Sequence, residues 1–123
     1  MTSDREKLGA DTVEVADEIA ILIDGVPDDM FGSNRNFRHL IERKLEIIGE
    51  ATRHLDAFDP EFVDQVPSLR KMIGLRNVIA HQYGSIDPVT IQRTCRETVP
   101  VIREYFAKLL DIDPPHPPIG DNA

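Results

Sequence analysis

Apolar positions recur with a helical period along most of the chain. Leu8, Thr12, Val15, Ile19 and Leu22 step by four and three over residues 5–24, and Gly25 closes that run. Its opposite, solvent-facing side carries Glu14, Asp17 and Glu18. Gly32-Ser33-Asn34 reads as a break and a cap before a second run of Phe37, Leu40, Ile41, Leu45, Ile48, Ala51 and Leu55, a helical face of about five turns. Asp59-Pro60 has the form of an N-cap and first helical residue for a short helix holding Phe62, Val63 and Val66. Pro67 ends that helix and begins another, with Leu69, Met72, Ile73, Ile79 and Ala80, up to Gly84-Ser85. Asp87-Pro88 repeats the cap-and-proline start for a last helix built on Ile91, Cys95, Ile102, Phe106 and Leu109. Pro100 lies inside that helix and is expected to kink it, because proline cannot donate the helical hydrogen bond. No segment alternates with a period of two. The pattern therefore predicts an all-α antiparallel bundle of four main helices and one short one.

The chain has 123 residues, enough for one domain with a single core. Residues 1–111 are expected to form it. Asp113-Pro114-Pro115-His116-Pro117-Pro118 suits neither helix nor central strand, so residues 112–123 are expected to be a disordered or extended tail. No apolar run approaches the ~20 residues of a membrane span, and no secretory start is visible. The single cysteine, Cys95, has no disulfide partner and is expected to be a buried thiol; no Cys/His cluster suggests a metal. A cytoplasmic protein with no metal or other cofactor, and no membrane contact, is the expectation.

Net charge is −8, but it is unevenly spread. Residues 1–29 hold nine acids against two bases, a net of −7. Between residues 70 and 96 the bases Arg70, Lys71, Arg76, Arg93 and Arg96 face one acid, Asp87, a net of +4. The global charge disfavours passive phosphate binding, whereas the local one leaves room for a basic patch.

The chemistry concentrates in Arg76-Asn77-Val78-Ile79-Ala80-His81-Gln82-Tyr83-Gly84. Arginine supplies a permanent planar cation that matches phosphate, and histidine can exchange a proton near neutrality. The two together suit RNA cleavage. The substrate's 2′-OH attacks phosphorus, His81 moves a proton, Arg76 stabilises the charged transition state and Asn77 orients either group. DNA, lacking the 2′-OH, would be spared. On a regular helix Arg76 and His81 lie ~140° apart, so one chain does not easily aim both at one point. A curled arginine, a helix ending near His81, or two subunits related by a two-fold axis would each solve this. The residues alone also allow a plain reading, in which Arg76 makes a structural ion pair and His81 caps the helix C-terminus.

Glu46 and Glu50 share a face of their helix away from Ile48 and Leu55. They are either a solvated stripe paired with Arg43 or Arg53, or one of them, Glu50 before Glu46, holds Arg76 in place. Gly49 and Gly74 weaken their helices and so call for a reason; close approach of helices or subunits is the usual one. His39, His54 and His116 read as isolated surface residues.

Arg76-x4-His81-x-Tyr83 resembles the Arg-x4-His-x-Tyr signature of the HepT-like toxins of the HEPN superfamily of helical ribonucleases. Leu45-Glu46-Ile47-Ile48-Gly49-Glu50-Ala51 resembles the family's second-helix motif, and Pro67 to Asn77 resembles the approach to its arginine. Asp87, Ile91 and Pro100 fall where its last helix places similar residues. The likeness is good over residues 30–110 and weak over 5–29. It implies a homodimeric HEPN fold with both Arg–His pairs in one cleft, and a metal-independent endoribonuclease serving as toxin of a HepT/MntA-type toxin–antitoxin pair. It also implies a minimal nucleotidyltransferase antitoxin that transfers AMP from ATP to Tyr83, with any larger hetero-oligomer left open. An added nucleotide there would place negative phosphate near Arg76 and repel RNA; the plain reading of Tyr83 is a half-buried ring with a wet hydroxyl. The acidic first helix would then face away from the cleft or meet a basic surface of the antitoxin. A catalytically inactive HEPN module that binds a nucleotide or a nucleotidyltransferase is the alternative, and a plain helical dimerisation protein is a third reading.

Overall fold

The computed structural model describes residues 4–81 and 86–111. Among the described residues every regular element is helical, as the pattern predicts. The order is α1 (Asp4–Ile23), α2 (Met30–Ser33), α3 (Arg35–Phe58), α4 (Pro60–Asp64), α5 (Pro67–His81), α6 (Pro88–Arg93) and α7 (Val99–Leu109). A π turn, Thr94–Thr98, joins α6 to α7 in one continuous run. The proline-rich segment 112–123 lies outside the described residues.

Local chemistry sets the helix ends. Gly25 leaves α1 at φ +69°, a left-handed conformation that suits glycine. The side chain of Asn34 accepts from the Phe37 amide at 3.0 Å, and that of Asp59 from the Phe62 amide at 3.2 Å. Asp87 accepts from the Val89 amide at 3.1 Å, with Pro88 at the first helical position as Pro60 is in α4. The α2 turn was not evident in the apolar period. It sends Phe31 into the core, where its ring meets Phe37 edge-on at 5.2 Å.

α3 lies at the centre, packed against α1 on one side and α5 on the other, while α1 also packs on α7. Ile41, Leu45, Ile48 and Leu55 of α3 meet Ile19 of α1, Leu69 and Met72 of α5, and Ile91, Ile102 and Phe106 of the last run, all at most 2 % exposed. Each such side chain contributes roughly 1.5–3 kcal/mol of burial free energy.

The buried side of α1 is rotated from the expected one. Gly9, Thr12, Val13, Ala16, Ile19 and Ile23 are buried, whereas Leu8, Val15 and Leu22 are only half-buried. Two neighbours explain this. A Cβ on Gly9 would come within 2.9 Å of the Phe106 ring, so small residues mark the closest approach to α7. Asp17 and Glu18, expected in solvent with Glu14, turn inward to cations on other helices. Asp17 binds Arg103 of α7 at 3.0 and 3.3 Å, and Glu18 binds Lys44 of α3 at 2.8 Å. Arg103, only 8 % exposed, lines a groove of about 700 Å³ between α1 and α7.

Pro100 does perturb the last helix, through a π turn. The Val99 amide bonds the Thr94 carbonyl five residues back. Proline cannot donate to the Arg96 carbonyl and its ring pushes that carbonyl away; one extra residue in the turn absorbs the displacement and the helix continues.

Candidate active site

Arg76 leaves α5 toward α3, where Gly49 lets the backbones come close. A Cβ added at Gly49 would overlap the Cβ of Arg76 and lie 2.9 Å from the Met72 carbonyl oxygen. The helix-weakening glycine therefore has its reason at Arg76 itself. Gly74 differs: an added Cβ there meets nothing within 4 Å among the described residues.

Glu50 follows Gly49 directly and faces the guanidinium. Its Oε2 is 2.9 Å from Arg76 Nε. The pair is an ion contact without an aligned hydrogen bond, since the buried Nε–H finds no acceptor along its own direction. Arg76 Nη1 donates to Asn77 Oδ1 at 3.3 Å. Glu50 also accepts from Arg53 Nη2 at 2.7 Å and lies 3.3 Å from His54 Nε2. The Arg53 hydrogen bond lowers the Glu50 carboxyl below its ordinary value, helped by the charges of Arg76, Arg53 and His54 and opposed by partial burial.

Glu46, one turn earlier on α3, pairs with Arg43 at 3.2 Å and forms no ion pair with Arg76. Of the two glutamates, Glu50 is the one beside the arginine. His54 was read as an isolated surface histidine, yet it joins the Glu50 cluster. Its i,i+4 spacing from Glu50 was the available signal. Cys95 is buried and its thiol is pushed up to about 12 by burial, so it is inert at neutral pH.

His81 is exposed at the end of α5, which stays helical through that residue. The ~140° separation from Arg76 therefore holds within one chain, and the two side chains are not brought together. Tyr83 lies outside the described residues. Among the described residues no group of three or more His, Cys, Asp or Glu could hold a metal ion, and no helix is long and apolar enough to cross a membrane.

Folding takes two cations of the basic window into ion pairs that join elements, while Lys71 stays exposed. Arg70 is matched by Asp56 at 2.8 Å and Asp64 at 2.7 Å, and Arg96 by Asp28 at 3.0 Å. Arg96 also donates to the Val26 carbonyl at 2.8 Å and stacks over Phe31. These two arginines tie elements together. Arg76, by contrast, lines an open groove of about 400 Å³ with Leu8, Arg43, Glu46, Ile47, Glu50, Ala51 and His54. It is the cation of the window that a ligand would meet beside a carboxylate holding it in place.

The family model described as "Ribonuclease HepT-like" matches residues 13–109, and the chain belongs to that family. It is 31% identical over 96 residues to "Putative RNase MJ1380" of Methanocaldococcus jannaschii, covering 76% of this chain and 85% of the relative. It is 27% identical over 100 residues to "Putative RNase MJ1216" of the same organism, covering 81% and 82%. To "Probable ribonuclease HepT" of Thermococcus cleftensis it is 28% identical over 79 residues, covering 64% and 71%. No solved structure gives a significant match.

Proposed function

We propose that this chain is a metal-independent endoribonuclease of the HEPN type, acting as the toxin of a toxin–antitoxin pair. The observation that carries the reading is Arg76, held by Glu50 over an open groove and followed by His81 on the same helix, in a chain of a ribonuclease family. The substrate 2′-OH attacks the adjacent phosphorus, the 5′-oxygen leaves and a cyclic phosphate forms. His81 carries the proton, and Arg76, with Asn77 beside it, neutralises the charge that grows on the phosphoryl oxygens.

One chain supplies the pair on two faces, so the reading requires a homodimer of four-helix units whose two-fold axis faces Arg76 of one copy with His81 of the other. Leu40, 44% exposed on α3, and the open flank of Gly74 on α5 are surfaces a second copy would cover. The partner is a nucleotidyltransferase antitoxin, and AMP added to Tyr83, two residues beyond His81, would set a phosphate against Arg76 and silence the site.

The test incubates purified, weighed protein with mixed RNA in EDTA, beside Arg76→Ala and His81→Ala. RNA cleavage that survives chelation and falls at least about hundredfold in both variants is the expected result. An unmodified dimer that leaves every RNA intact overturns it in favour of an inactive binding module. An inactive protein heavier by AMP units is the toxin in its silenced state, and removal of the AMP must then restore cleavage.

A further inference from the structure

The groove beside Arg76 has a composition that the cleavage chemistry does not use. Leu8 of α1 with Ile47 and Ala51 of α3 form its apolar side, and Arg43 and Arg76 provide cations. Between them stands Glu46. Glu50 is engaged by Arg76, Arg53 and His54, whereas among the described residues the one ion-pair partner of Glu46 is Arg43, through Oε1. Its second carboxylate oxygen is left to a ligand.

We propose that this groove is a nucleobase subsite and that Glu46 selects guanine next to the scissile phosphate. The inference rests on the ribonuclease reading. An ionised carboxylate only accepts hydrogen bonds. Guanine presents two adjacent donors on its pairing edge, the ring N1–H and the exocyclic amine. Adenine and cytosine place an acceptor beside their amine, and uracil flanks its one N–H with two carbonyls, so each sets a lone pair against the carboxylate. A groove of about 400 Å³ accommodates a purine with its face on Ile47 and Ala51. Arg43 or Arg76 then meets the attached phosphate.

Two measurements on the full chain test the subsite. GMP, AMP, CMP and UMP are titrated into His81→Ala protein, with binding read by NMR shifts of α3 amides. GMP is expected to bind tighter than the others by roughly fivefold or more, and adding Glu46→Gln is expected to level the four. Mixed RNA cleaved by the parent protein is then mapped by end sequencing, where guanine enrichment beside the cut is expected to vanish in Glu46→Gln while cutting continues. Equal affinities, a GMP preference that persists without the carboxylate, or no binding because a second copy fills the groove overturns the subsite. RNA cut without base bias overturns it while leaving the ribonuclease reading intact. A Glu46-dependent GMP preference in a chain that cuts no RNA sustains the subsite and overturns that reading.

Discussion

At Glu50 two guanidinium groups and an imidazole converge on one carboxylate. Arg53 is the firmest contact, and Arg76 gains its orientation from what remains. Because the folded carboxyl is lowered from 4.5, its stabilising effect is complete above the unfolded value and disappears as pH falls through the folded one. Thermal melts from pH 7 to pH 2 are therefore expected to show a steeper acid loss in the parent than in Glu50→Gln, with the two profiles converging once the carboxyl is protonated. Cleavage by Glu50→Gln is expected to fall about tenfold, since a mispositioned cation costs orientation. Gly49 and Gly74 make an opposite-signed pair. Gly49→Ala forces a methyl into the α5 backbone and is expected to destabilise by about 1–3 kcal/mol. Gly74→Ala meets open space and is expected to stabilise the monomer by about 0.5–1 kcal/mol. Chemical denaturation measures both, and dimer dissociation caused by Gly74→Ala alone would locate the subunit contact there. Both glycines stood out in the sequence as helix-weakening residues, but only the fold shows that Gly49 meets neighbours more than 20 positions away and that Gly74 faces open space.

At the scale of elements, the caps were legible because each is local. Asn34, Asp59 and Asp87 bond amides two or three residues ahead, and the prolines after two of them tolerate the missing donor. α3 was legible because Ile41, Leu45, Ile48 and Leu55 of its buried stripe are large apolar residues at regular spacing, with Gly49 and Thr52 completing it. α1 was harder, because its core side includes Gly9 and Ala16, which a search for large side chains passes over. Its true orientation is set by Asp17 and Glu18 reaching Arg103 and Lys44. Asp17→Asn removes one carboxylate from Arg103 at a nearly buried position, and a loss of about 2 kcal/mol on denaturant unfolding is expected. Glu14→Gln, on the exposed side, is expected to change stability by less than about 0.5 kcal/mol. The π turn has the same non-local character. Pro100 announces a disturbance, while the packing of Cys95 and Val99 on one side and Ile102 and Phe106 on the other keeps the helix running beyond it.

For the whole molecule, folding reduces the cationic surface that the sequence suggests. The +4 window from residue 70 to 96 suggests a basic face, yet folding assigns Arg70 and Arg96 to Asp56, Asp64 and Asp28. Under the proposed ribonuclease reading, RNA is expected to be held by few phosphate contacts. A log–log plot of affinity for single-stranded RNA against salt is expected to have a slope of magnitude below about 3, since each contact contributes ~0.7. A slope of twice that magnitude would show that a partner or second copy completes a broader cationic surface. By itself the sequence determined the helical class, the capped ends, the α3 core stripe and the family motif, because these follow from spacing and from contacts a few residues long. Only the tertiary structure decided which glutamate meets Arg76, which glycine makes room for it, which arginines are consumed in holding helices together, and that one chain keeps Arg76 and His81 on different faces. Those outcomes depend on how helices rotate against one another, and small residues and cross-helix ion pairs set that rotation with no period of their own in the sequence.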